Sequence, residues 1–283
     1  MKVLYATDMD RTMIFSHRFI EEYPPVSQYT LTEKVNGVEI SYMSNKVRSR
    51  LHDLNKNKHI TVVPVTTRSI EEFERINLGT KTRYAIVSNG GTILEYGKPM
   101  EDWEKYINDN IDRFELANCA IDMSEMSSTI RESKFIDNKY IFNKTDNPAL
   151  YDTEVASLIA KYPNINFVRQ KNKIYAIPKC FSKAIALRWL QNRLGCDKIV
   201  ASGDSELDLP MLAIADYAVI PEHGDLIKCG YVTGGRIVNG GIDSPLQTFD
   251  IVEQVILNSK QWEYALNRGC KRASPIFLQF NKS

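Results

Sequence analysis

The chain is expected to fold as an α/β protein: a Rossmann-like parallel sheet flanked by helices, with a smaller α+β domain inserted into it. Three observations predict this. Residues 2–7 (KVLYAT), 60–66 (ITVVPVT), 84–88 (YAIVS) and 198–202 (KIVAS) are apolar without alternation, as strands buried on both faces are. Segments of helical periodicity lie between these runs. One long stretch, residues 91–178, breaks the alternation with its own mixture of helix and strand, and is too long to be a loop.

The elements follow in order. After the first strand, residues 29–43 (YTLTEKVNGVEISYM) alternate on either side of Asn36-Gly37, a strong hairpin signal, in a position to act as a flap. Ser44 precedes a helix carrying Val47, Leu51 and Leu54. Ser69 opens SIEEFERI with Glu72 three residues on, a capping-box pattern. In the interruption, Trp103, Ile107, Ile111 and Phe114 keep helical spacing and predict one amphipathic helix. A second helix is expected over about residues 148–162, and residues 173–178 (KIYAIP) form a closing strand. Ser182 then precedes KAIALRWLQNRL, which Gly195 is suited to terminate. The expected division is a core of residues 1–90 and 179–283 and an inserted domain of residues 91–178.

Composition removes several classes of function. With 36 basic and 35 acidic side chains in 283 residues, the net charge of +1 does not suit a protein built mainly to neutralise nucleic-acid phosphates. The terminal KRASPIFLQFNKS reads as a solvated tail. No apolar run approaches the roughly 18 residues of a membrane span, and MKVLYATDMD lacks the pattern of a secretory signal. Five cysteines (Cys119, Cys180, Cys196, Cys229, Cys270) without CxxC spacing suggest reduced cytoplasmic thiols, and the four histidines share no metal-ligand spacing. No nucleic-acid or membrane partner is expected.

The groups that carry chemistry sit at strand ends, where ligands of open α/β sheets bind. The first strand ends in Asp8-Met9-Asp10, whose two carboxylates share a side if the extended conformation persists. Such a pair needs a cation or a proton between its members, although a polar strand-to-turn transition explains a lone DxD equally well. The second strand ends in Thr66-Thr67-Arg68-Ser69, hydroxyls and a helix start that can donate to an anion; Ser69 alone is also accounted for as a helix cap. Lys183 begins a helix, where the dipole gives an ammonium no benefit and solvation is the simplest reading. The fourth core run ends in SGDSELDLPM, with Asp204 and Asp208 around a helix start: hard oxygen ligands for Mg²⁺, or a cap and a dipole partner.

Taken in order, DMDRT, VTTRS, FSKAIAL and SGDSELDLPML resemble the four motifs of the haloacid-dehalogenase-like (HAD) hydrolase superfamily. The insertion, entered through YAIVSNGGTIL and left through IYAIPKCFSKAIAL, resembles that superfamily's α+β cap class, which includes sugar-phosphate and sucrose-phosphate phosphatases. The resemblance implies a Mg²⁺-dependent phosphatase acting on a small phosphorylated metabolite through an aspartyl-phosphate. Asp8 would be the nucleophile, Asp10 the general acid and base, and Thr66 and Lys183 the phosphoryl-oxygen ligands. Mg²⁺ would be held by Asp8, the Asp10 carbonyl, Asp204 and Asp208, and Thr67, Arg68 and Asn89 are candidate substrate contacts. A phosphomutase or phosphotransferase using the same intermediate, or a non-catalytic phosphate-binding protein, are the alternatives. Arg11, Thr67 and Leu207 depart from the common pattern, and residues 18–44 form a longer link than capped sugar phosphatases usually have.

Overall fold

The computed structural model describes residues 1–125, 130–230 and 235–267, without the side chains of residues 148–152 and 259–267. Cys270 and the basic segment 271–283 lie outside the described residues. A five-stranded sheet forms the centre, in the order Arg236–Val238, Tyr217–Pro221, Lys198–Ser202, Val3–Thr7, Ile60–Pro64, with every neighbouring pair parallel. Strand Tyr84–Val87 joins its far edge through a parallel bridge between Val65 and Ile86. Alternate residues of each strand feed opposite layers. Leu4, Ala6, Val63 and Ile199 pack with Ala186, Leu187 and Leu190 of helix Lys183–Leu194. Val3, Tyr5, Val62 and Val200 pack on Val47, Leu51 and Leu54 of helix Asn45–Lys56 and on Phe249 and Val252 of helix Ser244–Asn267.

The capping signals are realised unevenly. Ser69 and Glu72 close both bonds of a capping box, Ser182 Oγ accepts from the Ile185 N–H, and Gly195 ends its helix in the left-handed region at φ 59°. Ser44 stands at its helix's N-cap but its side chain makes no capping bond. The hairpin pairs Tyr29–Val35 with Val38–Ser44, and Asn36 (φ 50°) and Gly37 (φ 85°) form the left-handed turn that Asn-Gly favours.

The inserted stretch differs from expectation in two places. The single helix through Trp103 to Phe114 is two helices, Glu101–Asn110 and Arg113–Glu125. The Asp112 carboxylate caps the second by accepting the N–H groups of Phe114 and Glu115, at 3.0 and 2.9 Å, which leaves Phe114 exposed. Residues 92–110, expected in the inserted domain, also contact elements of the core. Strand Thr92–Glu95 pairs antiparallel with Tyr84–Val87, and Trp103 is buried against Trp189 of the Lys183 helix, ring centres 5.3 Å apart. The chain therefore leaves the core beyond Asn110. From there to Pro178 it forms an antiparallel sheet in the order Ile165–Gln170, Lys173–Pro178, Tyr140–Thr145, Ile130–Ile136, with helices Arg113–Glu125 and Pro148–Lys161. The alternating strands before residue 148 are an element that helical and turn signals alone do not reveal.

Candidate active site

Three adjacent core strands deliver their carboxyl ends to one point. The Asp8 N–H donates to the Ser202 carbonyl (2.8 Å) and the Val65 N–H to the Thr7 carbonyl (2.7 Å), so Asp8, Thr66 and Gly203 leave the sheet side by side. Lys183 reaches this point from the helix that follows the insertion. It is 1% exposed, and its Nζ lies 2.6 Å from Asp8 Oδ1 and 2.6 Å from Asp208 Oδ1. Burial works against the ammonium, but the two carboxylates outweigh it and raise the lysine pKa. The helix dipole gives Lys183 nothing; its charge is held by these two partners.

Asp208 is wholly buried and serves the loop around it. Its Oδ2 accepts the N–H of Asp204 (3.1 Å), the N–H of Ser205 (3.0 Å) and Ser205 Oγ (3.0 Å). A Cβ on Gly203 would come within 2.5 Å of the Asp208 Cβ, so only glycine lets this turn close. Asp8, Asp204 and Asp208 bring carboxylate oxygens within 4.8 Å of one another. Burial, then Asp208, raise Asp8 well above the ordinary carboxylate range despite Lys183, and the same two causes push Asp204 up to about 7 against the pull of Arg11. Three buried carboxylates facing one ammonium and one guanidinium suit a small divalent cation, with hard oxygen ligands and a surplus of negative charge to neutralise.

Arg11 explains its own departure from the family pattern. Its φ of 64° is the left-handed geometry that favours glycine. Its guanidinium spans from Asp204 Oδ2 (3.1 Å) to the His223 carbonyl (3.1 Å). His223 completes the clasp: Nδ1 accepts the Gly241 N–H (3.1 Å), so Nε2 carries the proton and donates to the Arg11 carbonyl (2.7 Å). Burial lowers the imidazole pKa and keeps it neutral.

Asp10 is half exposed to the cavity and is gripped by Arg68 through two bonds of 2.8 Å. Burial acts to raise its pKa, but the hydrogen bonds and charge of Arg68 outweigh this and hold it below the ordinary value. Arg68 also donates to Glu33 (2.7 Å), and Arg75 reaches the other Glu33 oxygen (3.4 Å). Glu33 is buried and comes from the hairpin, where the ladder register shifts between Leu31 and Lys34 and redirects the side chain. That bulge hides Glu33 from a strict period-two reading of the sequence.

The other expected contacts divide. Thr67 and Arg68 line the cavity above Asp8. Thr66 is 1% exposed and is not among the lining residues; its Oγ accepts the Arg68 N–H at 3.2 Å and shapes the turn. Asn89 is buried and absent from the lining as well. Its N–H donates to the Thr66 carbonyl (2.9 Å), and it supports that loop from beneath with φ 56°. Trp103 is core, stacked on Tyr106.

The cavity measures about 600 Å³, ample for a phosphorylated sugar. The core supplies its floor, Val35 and Ile40 of the hairpin one wall, and Lys134, Tyr140, Phe142, Lys144, Lys173 and Tyr175 of the inserted sheet its roof. The strand signal of residues 173–178 locates Lys173 and Tyr175; alternation over residues 130–145 would have located the others. The roof meets the core where Tyr140 Oη donates to the Thr67 carbonyl (2.5 Å) and where Asp137 accepts the Ile70 N–H (3.0 Å) and the Ser88 hydroxyl.

Residues 1–223 match the family model described as sucrose-6F-phosphate phosphohydrolase. No curated protein matches the chain at a significant level. Among solved structures, a sucrose-phosphatase from Synechocystis sp. PCC6803, determined with sucrose and phosphate, is similar with a TM-score of 0.61 at 13% identity, over 88% of this chain and 98% of that one. A HAD-superfamily phosphatase from Bacteroides thetaiotaomicron gives 0.56 at 14% identity, over 89% and 96%. The C-terminal domain of trehalose-6-phosphate phosphatase from C. albicans gives 0.53 at 12%, over 88% and 90%. At these identities the likeness is one of fold.

Proposed function

Because the chain belongs to the sucrose-6F-phosphate phosphohydrolase family and is a HAD-like phosphatase, we propose that it hydrolyses a small phosphorylated sugar with Mg²⁺ through an aspartyl-phosphate on Asp8. The observation that carries the reading is Lys183 Nζ at 2.6 Å from both Asp8 and Asp208, beneath a roofed cavity. In the first step an Asp8 oxygen forms a bond to phosphorus, the ester P–O bond breaks, and the leaving oxygen takes a proton from Asp10. In the second, Asp10 takes a proton from water, the water oxygen bonds to phosphorus, and the Asp8 acyl-phosphate bond breaks to release phosphate.

Each residue supports one part of this. Lys183 offsets the repulsion between the nucleophile and the phosphoryl oxygens, and Asp208 holds Lys183 in place. The turn fixed by Thr66 presents Thr67 and Arg68 to the same oxygens. Arg68 keeps Asp10 ionised, the form required for the second step; a phosphoryl group that draws Arg68 away frees Asp10 to be protonated for the first. Asp8 and Asp204, backed by Asp208, would hold Mg²⁺, which supplies charge neutralisation at the phosphoryl group. No helix among the described residues is long and apolar enough to cross a membrane. The scattered cysteines support a cytoplasmic setting for this activity.

The test is phosphate release from p-nitrophenyl phosphate and a panel of sugar phosphates, with Mg²⁺ and with a chelator. Turnover is expected only with the metal and is expected to vanish in Asp8→Asn. Metal-independent turnover, or turnover that survives Asp8→Asn, would refute the mechanism.

A further inference from the structure

We infer that the roof of the cavity is a second anion-binding subsite, so that the substrate carries a further phosphate or carboxylate group away from the ester that is cleaved. The inference rests on the phosphatase reading only for the position of that ester, over Asp8.

The roof is the inner face of the inserted sheet. Its alternation aims residues 132, 134 and 136, residues 140, 142 and 144, and residues 173 and 175 into the cavity. Within this face Lys144 and Lys173 are register partners on adjacent antiparallel strands. Like charges directly opposite each other destabilise a sheet. The other cations of the cavity are answered: Lys134 by Glu132 at 2.7 Å, Lys171 by Asp225 at 2.7 Å, Lys183 by Asp8 and Asp208, Arg11 by Asp204, and Arg68 and Arg75 by Glu33. Among the described residues, no carboxylate lies within ion-pair distance of Lys144 or Lys173; Glu132, opposite Lys144 on the next strand, is bonded to Lys134, so one carboxylate faces three lysines. Both are half-buried, and Lys173 Nζ stands 5.6 Å from the centre of the Phe142 ring.

Burial pulls Lys173 below the usual lysine range, and the largest charge opposing that pull is Asp10 on the catalytic floor. Two lysines paired in register on one face and partly removed from water favour an anion beside them. In the proposed reaction the scissile phosphate sits over Asp8, with Lys183 and Arg68 on the core floor, which leaves the roof lysines to a second group of the same substrate. A neutral sugar would meet the pair with hydroxyls alone and leave three lysines to share Glu132. Phe142 and Tyr175, beside the lysines, offer an apolar surface for the carbon skeleton that joins the two anionic ends.

The test measures binding to full-length Asp8→Asn protein in Mg²⁺ buffer by titration calorimetry. The three probes are glucose 6-phosphate, whose remainder is neutral, fructose 1,6-bisphosphate and 6-phosphogluconate. At least one of the last two is expected to bind about tenfold or more tightly than glucose 6-phosphate, and Lys144→Met/Lys173→Met is expected to bring that ratio close to one. A preference for the bisphosphate identifies phosphate as the second group, and a preference for phosphogluconate identifies carboxylate. Equal binding of all three, or a preference that survives the double substitution, overturns the inference. Relief of the lysine repulsion predicts that the double variant melts no lower than its parent; if it melts lower, Lys144→Gln and Lys173→Gln singly give the same decision. Turnover of p-nitrophenyl phosphate by the wild type tests the phosphatase reading separately, because that ester has no second anion. Silence there removes the reading while the binding ratio still decides the subsite.

Discussion

In the proposed reaction Asp10 both gives and takes a proton, and Arg68 favours one of its two states. Two bonds of 2.8 Å and a full positive charge hold its carboxyl below the ordinary range. Asp10 therefore contributes stability above the ordinary carboxylate pKa, and that contribution is lost as pH falls through its lowered folded value. Arg68→Gln removes the cause, so the Asp10 pKa rises and its acid form persists to higher pH. The alkaline limb of the kcat/KM profile is expected to move upward by about one pH unit or more, together with weaker substrate binding. A limb that stays in place would mean that Asp10 is not the group it reports. At this scale the sequence was most informative where strand ends concentrate polar residues: Asp8, Asp10, Asp204 and Lys183 all reach one cavity. It was least informative where the backbone departs from regular geometry. Glu33 turns inward at a bulge, and Thr67 lines the cavity next to Thr66, whose hydroxyl accepts the Arg68 N–H.

The hairpin shows how an added element becomes part of a site. Asn36-Gly37 announces its turn, and besides Met43 in the core the hairpin is tied down by the ion cluster of Glu33 with Arg68 and Arg75. Glu33→Gln keeps the shape and removes the charge that faces two arginines. A loss of about 2 kcal/mol in urea unfolding is expected, since two charge-assisted bonds are weakened while Arg68 keeps Asp10 and Arg75 keeps Glu71 as partners. Arg75→Gln, whose partner lies at 3.4 Å and which is more exposed, is expected to cost clearly less. Equal losses would show that the Glu33–Arg68 bond contributes little. The helix from Trp103 teaches the converse. Its apolar spacing runs on to Phe114, but an aspartate able to cap a new helix at position 112 outweighs periodicity.

Across the whole molecule, the inserted sheet and the catalytic floor are joined at a narrow place. Ser88, Asn89 and Gly90 are successive left-handed residues, at φ 52°, 56° and 97°, at the end of the third core run. A Cβ on Gly90 would lie 2.3 Å from the Ser182 carbonyl oxygen, the residue that caps the Lys183 helix. Gly90→Ala therefore strains its own backbone and pushes on the helix that presents Lys183. A loss of about 3 kcal/mol in stability is expected, with kcat falling about tenfold or more while KM changes less. Unchanged kcat in a destabilised variant would separate the joint from the chemistry. Part of the parallel core was readable because residues 2–7, 60–66, 84–88 and 198–202 are continuous apolar runs; Tyr217–Pro221 and Arg236–Val238, shorter or partly exposed, were not. The extent of the roof was not, because residues 92–110 carry helix and strand signals of their own and lie against the core nonetheless.

The two crossings between core and roof are near neighbours. The chain departs just after Asn110 and is back by Cys180, whose carbonyl accepts the Tyr106 hydroxyl at 3.0 Å across the gap. In the terms of gene architecture this is a cassette with one docking port. Replacing residues 112–178 asks the framework to re-close a single pair of junctions, while Asp8, Asp10, Lys183 and Asp204 keep their places. On the proposed reaction, an exchange of the roof alone is expected to change which phosphate ester binds while the core groups stay in place.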